Sequence, residues 1–232
     1  MAARIAVPTP DGDMPAFLWM PGPSGGPGIL LLQEILGVSS YIHRRAADLA
    51  AAGYVVLAPE LYWRLDRQHV DESAPNAIEQ AVGLVSQVDW PTTVSDAVAA
   101  LDRLSGLEHV TGTPAVVGFC WGGGLAFHVA AAARPTALVS YYGSALPDLL
   151  ELAPQVTCPS LHHFGTADDY LDADAVAAVT AAVTAEGRPA RVETYDGANH
   201  AFDNDHLPLH HPEASRRACD TTLDFLREQL PT

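Results

Sequence analysis

Apolar positions along this chain fall into short runs, and two spacings alternate. Eight runs read as strands: Arg4–Val7, Ala16–Met20, Gly28–Leu32, Tyr54–Ala58, Ala115–Phe119, Leu138–Tyr142, Ser160–Phe164 and Arg191–Tyr195. Apolar residues recur at helical spacing over Tyr41–Ala52, Ala74–Val88, Thr92–Leu104, Gly123–Ala133, Asp172–Ala185 and Pro212–Gln229. Pro91 and Pro212 stand where a first helical turn tolerates a residue without an N–H. Two strands in succession, then strand and helix in alternation, predict an α/β architecture, with a mixed sheet that becomes mostly parallel and helices on both faces. The runs 28–32 and 54–58 are apolar throughout, as strands covered on both sides must be. In such sheets chemistry gathers at the carboxyl ends of strands, which directs attention to the loops after Leu32, Ala58, Phe119, Tyr142, Phe164 and Tyr195.

Composition narrows this picture. Of 232 residues, 48% are apolar and 17% charged, which suits a buried core, and neither a repeat nor a low-complexity linker divides the chain, so residues 1–232 read as a single domain. Acidic residues outnumber Lys and Arg 28 to 12, a net charge of −16 with no basic cluster. Affinity for nucleic acid or for an anionic membrane surface is not expected of such a chain. No apolar run approaches the roughly 20 residues that span a bilayer, and Met1–Ala6, followed by Asp11 and Asp13, lacks the form of a secretory signal. Cys120, Cys158 and Cys219 are odd in number and widely spaced, fitting neither a disulfide framework nor a Cys-x-x-Cys site. A reducing compartment, the cytoplasm, is the expectation.

The strongest chemical signal follows the fifth strand: Gly118-Phe119-Cys120-Trp121-Gly122, then Gly123-Gly124 and an alanine-rich helix. A Gly-x-Cys-x-Gly turn between strand and helix is a nucleophile elbow; its central side chain projects from the sheet edge, and its glycines stand where a Cβ would collide with neighbouring chain. The Trp121 amide and the positive end of the following helix face the sulfur and can support a thiolate or an oxyanion. A dinucleotide loop would place its glycines after the first parallel strand at other spacings. Cys158, before Pro159, and Cys219, in the last helix, read as packing residues.

A cysteine nucleophile needs a base, and the base an orienting carboxylate. After the seventh strand comes Gly165-Thr166-Ala167-Asp168-Asp169, and after the eighth Asp196-Gly197-Ala198-Asn199-His200. Nucleophile, acid, histidine is the chain order of the α/β-hydrolase fold, and it suits Cys120, Asp168 and His200. Asp169 is the alternative acid; Asp168 is preferred for its place in the Gly-x-x-Asp turn. His162 and His163 share a strand, so one is expected inward and packed, the other outward. His206, His210 and His211 do not form a metal site in this reading, because Pro208 interrupts any helix that would align the first two. His211-Pro212-Glu213 also matches the His-Pro-Glu element of class I glutamine amidotransferases, which share the cysteine elbow, but Pro212–Ser215 reads as the first turn of the closing helix, with Glu213 serving its dipole.

Further segments, in order along the chain, resemble the dienelactone hydrolase (carboxymethylenebutenolidase) family: Gln33-Glu34-Ile35-Leu36-Gly37-Val38, Ala58-Pro59-Glu60-Leu61-Tyr62-Trp63-Arg64 and Thr222-Leu223-Asp224-Phe225-Leu226, together with the elbow. The resemblance covers nearly the whole chain. It implies an eight-stranded α/β-hydrolase core, a Cys120, Asp168 and His200 triad, an oxyanion hole from the amides of Ile35 and Trp121, and a part for Glu34, which in that family contacts the cysteine in the resting enzyme and helps activate it. An acid beside a neutral thiol keeps it protonated until substrate moves the acid away.

The resemblance breaks where substrate is read. Two arginines in that family hold the substrate carboxylate; Ile78 and Asn204 occupy the matching positions, with Asp203 and Asp205 beside the latter. Neither can form a charge-assisted bond to a carboxylate, so classical dienelactone is not the expected natural substrate. Arg64, with Tyr62 and Phe202, is a candidate substrate contact, although Arg64 reads equally well as an ordinary ion-pair partner. Trp63, Trp90 and Tyr170 are further aromatics that can line a pocket. The expected activity is cofactor-independent cysteine hydrolysis of a small lactone or activated ester; thiolate leaves more readily than an amine, so amides are not expected substrates. A non-hydrolytic redox sensor or binding module on the same fold is the alternative.

Overall fold

The computed structural model describes residues 2–230. They form two compact units, with the boundary after Ala115.

The first unit contains β1 (Ala3–Thr9), β2 (Gly12–Trp19), β3 (Gly26–Leu32) and β4 (Val55–Pro59), with α1 (Ser40–Ala51), α2 (Ala77–Val85) and α3 (Trp90–Ser105). Its strands lie in the order β1-β2-β4-β3. β1 and β2 form an antiparallel hairpin, from Ala3 opposite Leu18 to Thr9 opposite Gly12, and β2 runs antiparallel to β4. β3 and β4 are parallel, Gly28 opposite Val55, and α1 joins them. The sheet therefore turns parallel at β3, as the spacing of the sequence predicts. Ile29, Leu30, Leu31 and Leu32 are fully buried, as are Val55, Val56 and Leu57; each such side chain contributes about 1.5–3 kcal/mol over an exposed one. α1 packs on β2 and β4, and α3 on β1, β3 and β4. α3 starts one residue before Pro91, with Asp89 as N-cap accepting the Thr92 amide at 2.9 Å. α2 is shorter than predicted. Pro75 disfavours helical backbone at Ala74, and Asp71 accepts the Ser73 amide at 2.9 Å, turning the chain before the helix begins.

β5 (Val110–Phe119) crosses the boundary and begins five residues earlier than its apolar core suggests. The second unit continues with α4 (Trp121–Ala133), β6 (Leu138–Tyr141), β7 (Ser160–Gly165), α5 (Ala173–Thr184), β8 (Ala190–Tyr195) and α6 (Pro212–Gln229). Its strands are parallel and lie in the order β5-β6-β7-β8. All eight expected strands and all six expected helices are present, with ends shifted by a few residues. Two 3₁₀ segments, Leu146–Gln155 and Ala185–Gly187, were not expected; the first begins with Pro147 in its opening turn and holds Pro154 near its end. α4 is apolar on every side and is buried over most of its length.

The expectation for His162 and His163 needs correction. Both are fully buried. They do point to opposite sides of β7: the His162 ring lies 6.2 Å from Phe127 of α4, and His163 Nε2 lies 2.9 Å from Thr222 Oγ1 of α6. Both sides are covered by helices, so the outward residue is interior too.

Candidate active site

The elbow after β5 has the backbone its sequence requires. Cys120 has φ 53° and ψ −119°, a region that costs a non-glycine residue about 1–3 kcal/mol. Hydrogen bonds hold it there. Its amide donates to Tyr141 O at 3.0 Å, and its carbonyl accepts from Gly123 N at 2.9 Å and Ser144 N at 3.2 Å. A Cβ on Gly118 would lie 1.9 Å from Gly122 O, so strand and helix meet this closely only through glycine. Trp121 opens α4, where the first amides have no acceptor within the helix.

The turns after β7 and β8 are laced together. Thr166 N donates to Tyr195 O at 3.0 Å and Ala167 N to Ala198 O at 2.9 Å, while a Cβ on Gly165 would lie 2.1 Å from Ala198 O. The first turn carries Asp168 and the second His200. Asp168 Oδ1 accepts the amides of Tyr170 at 2.8 Å and Leu171 at 3.0 Å, which aims Oδ2 at His200 Nδ1, 2.9 Å away. His200 Nε2 lies 3.1 Å from Cys120 Sγ. Sulfur, imidazole and carboxylate thus form one continuous hydrogen-bonded line, and all three residues are buried. Asp169 points elsewhere: its Oδ2 accepts Asn199 Nδ2 at 2.8 Å, and Asn199 Oδ1 accepts the His200 amide at 2.6 Å.

Burial opposes a charge on His200, but its hydrogen bonds to Asp168 and Cys120, and the negative charges those groups can carry, outweigh burial and hold its pKa above the ordinary value of 6.5. The imidazole is flanked by Tyr142, with ring centroids 5.2 Å apart, and by Tyr170, at 4.9 Å. Tyr170 is 69% exposed, so this flank of the imidazole borders solvent. Ser144, which carried no sequence signal, brings its Oγ to 3.9 Å from Cys120 Sγ. It lies in the loop at the carboxyl end of β6, but no motif marks it.

The other cysteines stand apart from this chemistry. Burial pushes the Cys158 thiol up to about 11, and Cys219 is half-buried in α6.

Glu34 and Ile35 belong to the first unit, in the loop after β3. Glu34 is buried, and Gly37 N donates to its carbonyl at 3.1 Å, closing a tight turn around Ile35. Tyr62 is fully buried, with its hydroxyl donating to Ile35 O at 2.9 Å. Arg64 pairs with Asp96 and, at 2.7 Å, with Asp11, and stacks over Trp63 at 4.1 Å. The ion-pair role left open for Arg64 is therefore filled. In the second unit Phe202 is buried against Tyr142 and Tyr195, with centroids at 5.2 and 5.1 Å. Ile78 is exposed on α2, whereas Asn204 is fully buried, its Oδ1 accepting the His206 amide at 2.9 Å. His211 caps α6, its Nδ1 accepting the Ala214 amide at 3.2 Å, and the imidazole at Cys120 is that of His200.

The comparisons with known proteins agree with this architecture. The model of the dienelactone hydrolase family matches residues 14–230. The carboxymethylenebutenolidase of Pseudomonas sp. (strain P51) is 34% identical over 223 residues, covering 95% of this chain and 92% of that protein. That of Pseudomonas putida is 31% identical, covering 91% and 89%. A solved structure from Klebsiella pneumoniae subsp. pneumoniae, named provisionally as a dienelactone hydrolase, superposes with a TM-score of 0.85 at 25% identity, covering 98% of each chain. A dienelactone hydrolase-like promiscuous phosphotriesterase from metagenomic libraries shares the fold, with a TM-score of 0.82 at 22% identity, covering 99% of this chain and 98% of that one. The chain belongs to the dienelactone hydrolase family: it is an α/β hydrolase, of the class that cleaves carboxylic esters and lactones.

Proposed function

We propose that the chain is a cofactor-independent cysteine hydrolase in which Cys120 is the nucleophile, His200 the general base and acid, and Asp168 the residue that orients the imidazole. The line from Cys120 Sγ to His200 Nε2 at 3.1 Å and from His200 Nδ1 to Asp168 Oδ2 at 2.9 Å is the observation that carries this reading. His200 holds the proton of the Cys120 thiol as imidazolium, and the resulting thiolate attacks the carbonyl carbon. The oxyanion so formed is held by the amides of Trp121, at the start of α4, and Ile35. Collapse expels the alkoxide, which takes the proton from the imidazolium and leaves a thioester on Cys120. Water then attacks the thioester with His200 as base, the acid is released and the thiol restored. From a lactone the alkoxide stays tethered, so the product is a hydroxy acid. Glu34 is assigned the family's part in holding the resting thiol. No metal or organic cofactor enters any step. The nucleophile must be a reduced thiol, which favours a reducing compartment such as the cytoplasm. The family model spans both compact units, which supports treating them as one functional domain.

The proposed substrate is a small, uncharged lactone or activated ester. Ile78 and Asn204 bring no cation to the positions where the family's arginines hold a carboxylate, and Asp203 adds a buried acid next to Asn204. The test is hydrolysis of paired esters with and without a carboxylate, together with a lactone panel including dienelactone, by the wild type and by Cys120→Ala. The expected outcome is turnover that disappears in the variant, with kcat/KM for the neutral ester at least about tenfold above that for its charged twin. Undiminished turnover by Cys120→Ala would move the chemistry to another residue, and preference for the charged ester would overturn the substrate assignment.

A further inference from the structure

The loop that carries Glu34 and Ile35 is gripped along its length by the loop after β4. Leu61 N donates to Gln33 Oε1 at 3.3 Å, Tyr62 OH to Ile35 O at 2.9 Å and Val70 N to Leu36 O at 3.0 Å. Gly37 forms a β-bridge with His69, and a Cβ on Gly37 would lie 2.5 Å from Gln68 O, so the two loops meet backbone to backbone. The grip extends to the helix that follows. Ser39, the N-cap of α1, makes no side-chain capping bond. Instead Glu72 accepts the amides of Ser40 at 2.9 Å and Tyr41 at 3.5 Å, placing a carboxylate on the positive end of the helix. Tyr62 has no exposed surface, and its hydroxyl is spent on a backbone carbonyl.

We infer that Tyr62 and Glu72 are positioning residues that fix the Ile35 amide before substrate arrives, with Tyr62 acting from behind the loop rather than as a substrate contact. The inference rests on the proposed reading of Ile35 N–H as an oxyanion donor. Such a donor works because it is already aimed where charge will develop. Tyr62 fixes Ile35 from its carbonyl side, and Glu72 fixes the chain five and six residues further on, at Ser40 and Tyr41. The oxyanion exists only in the transition state and the intermediates beside it, so loosening either hold lowers kcat and leaves KM nearly unchanged.

The experiment compares Tyr62→Phe, Glu72→Ala, Glu72→Gln and Ile35→Pro by three readouts: kcat and KM on a neutral ester, inhibition by a neutral aldehyde that forms a thiohemiacetal, and alkylation of Cys120 by iodoacetamide. Alkylation is a displacement at carbon with no oxyanion, so it reports an intact nucleophile independently of the hole. Tyr62→Phe is expected to lower kcat about tenfold with KM within about twofold, weaken the aldehyde by a similar factor and leave alkylation unchanged. Glu72→Ala should move the same way, and Glu72→Gln, whose amide oxygen still accepts the Ser40 N–H, should restore the rate. Full kcat in Tyr62→Phe and Glu72→Ala while Ile35→Pro is impaired would overturn the positioning role alone. Full kcat in Ile35→Pro would overturn the oxyanion reading and the inference with it. A parallel loss of kcat and alkylation in Tyr62→Phe and Glu72→Ala would show a general structural effect and also overturn the inference, as would a fall in kcat with unchanged aldehyde affinity.

Discussion

At the scale of single residues, two adjacent acids show how hydrogen bonds divide labour that sequence leaves ambiguous. Asp168 and Asp169 are chemically identical, yet the amides of Tyr170 and Leu171 hold one oxygen of Asp168 and turn the other to His200, while Asp169 is taken by Asn199. Replacing Asp168 with asparagine keeps the shape and removes the charge. An amide facing Nδ1 favours the wrong tautomer and leaves an imidazolium unsupported, so kcat is expected to fall on the order of 100-fold or more. Its hydrogen bond and charge help to raise the His200 pKa, so in Asp168→Asn the imidazole should release its proton at lower pH than in the wild type. An NMR titration of the His200 ring checks the direction; an unmoved or higher midpoint would contradict the coupling. The three cysteines divide in the same way. Cys120 sits in a strained turn with an imidazole at its sulfur, whereas Cys158 is a buried thiol whose ionisation burial suppresses.

At the scale of elements, what sequence revealed depended on how local the determinants are. The strands were legible because burial on both sides leaves continuous apolar runs such as 28–32 and 54–58, and the starts of α3 and α6 because Pro91 and Pro212 suit a first helical turn. The elbow was legible for a similar reason: Gly118 is dictated by a contact with Gly122 only four residues away. Features with no local pattern, or set by distant partners, were not legible. The Leu146–Gln155 segment has proline at both ends and too short an apolar repeat to read as a helix. α1 depends on Glu72, thirty-two residues downstream of Ser40, for its cap. Tyr62 read as a pocket aromatic because its bond to Ile35 O spans 27 positions and leaves no pattern in the sequence. The outward reading of one strand histidine failed because alternation assigns sides of a sheet, and only the tertiary structure says whether each side is covered.

At the scale of the whole molecule, the chain combines a large acidic charge with a core that contains neutral histidines. Burial lowers His162 to about 4, and burial together with the charge of its neighbour lowers His163 to about 3. Below pH 6.5 the unfolded chain takes up protons at these two residues that the folded chain refuses, so stability falls as pH drops from 6.5 towards 3–4. His200 acts with the opposite sign. Its raised value contributes stability that is complete below 6.5 and is lost as pH climbs through the folded-state value. Stability should therefore peak near neutrality, and the urea midpoint should fall between pH 7 and pH 5 by an amount equivalent to a few kcal/mol. His162→Leu should flatten that fall, and a midpoint that does not change in the wild type would contradict the assignment of both histidines as neutral.

The central claim is that hydrolysis passes through a thioester on Cys120. Intact-mass spectrometry of the enzyme quenched in acid during turnover of a slowly deacylating activated ester, followed by peptide mapping, tests it most directly. The expected result is a mass increase equal to one acyl group, located on the peptide containing Cys120, absent from Cys120→Ala and persistent in His200→Ala if that variant acylates at all, because deacylation needs the base. Steady turnover with no adduct on Cys120, or an adduct on another residue that keeps pace with turnover, would contradict it.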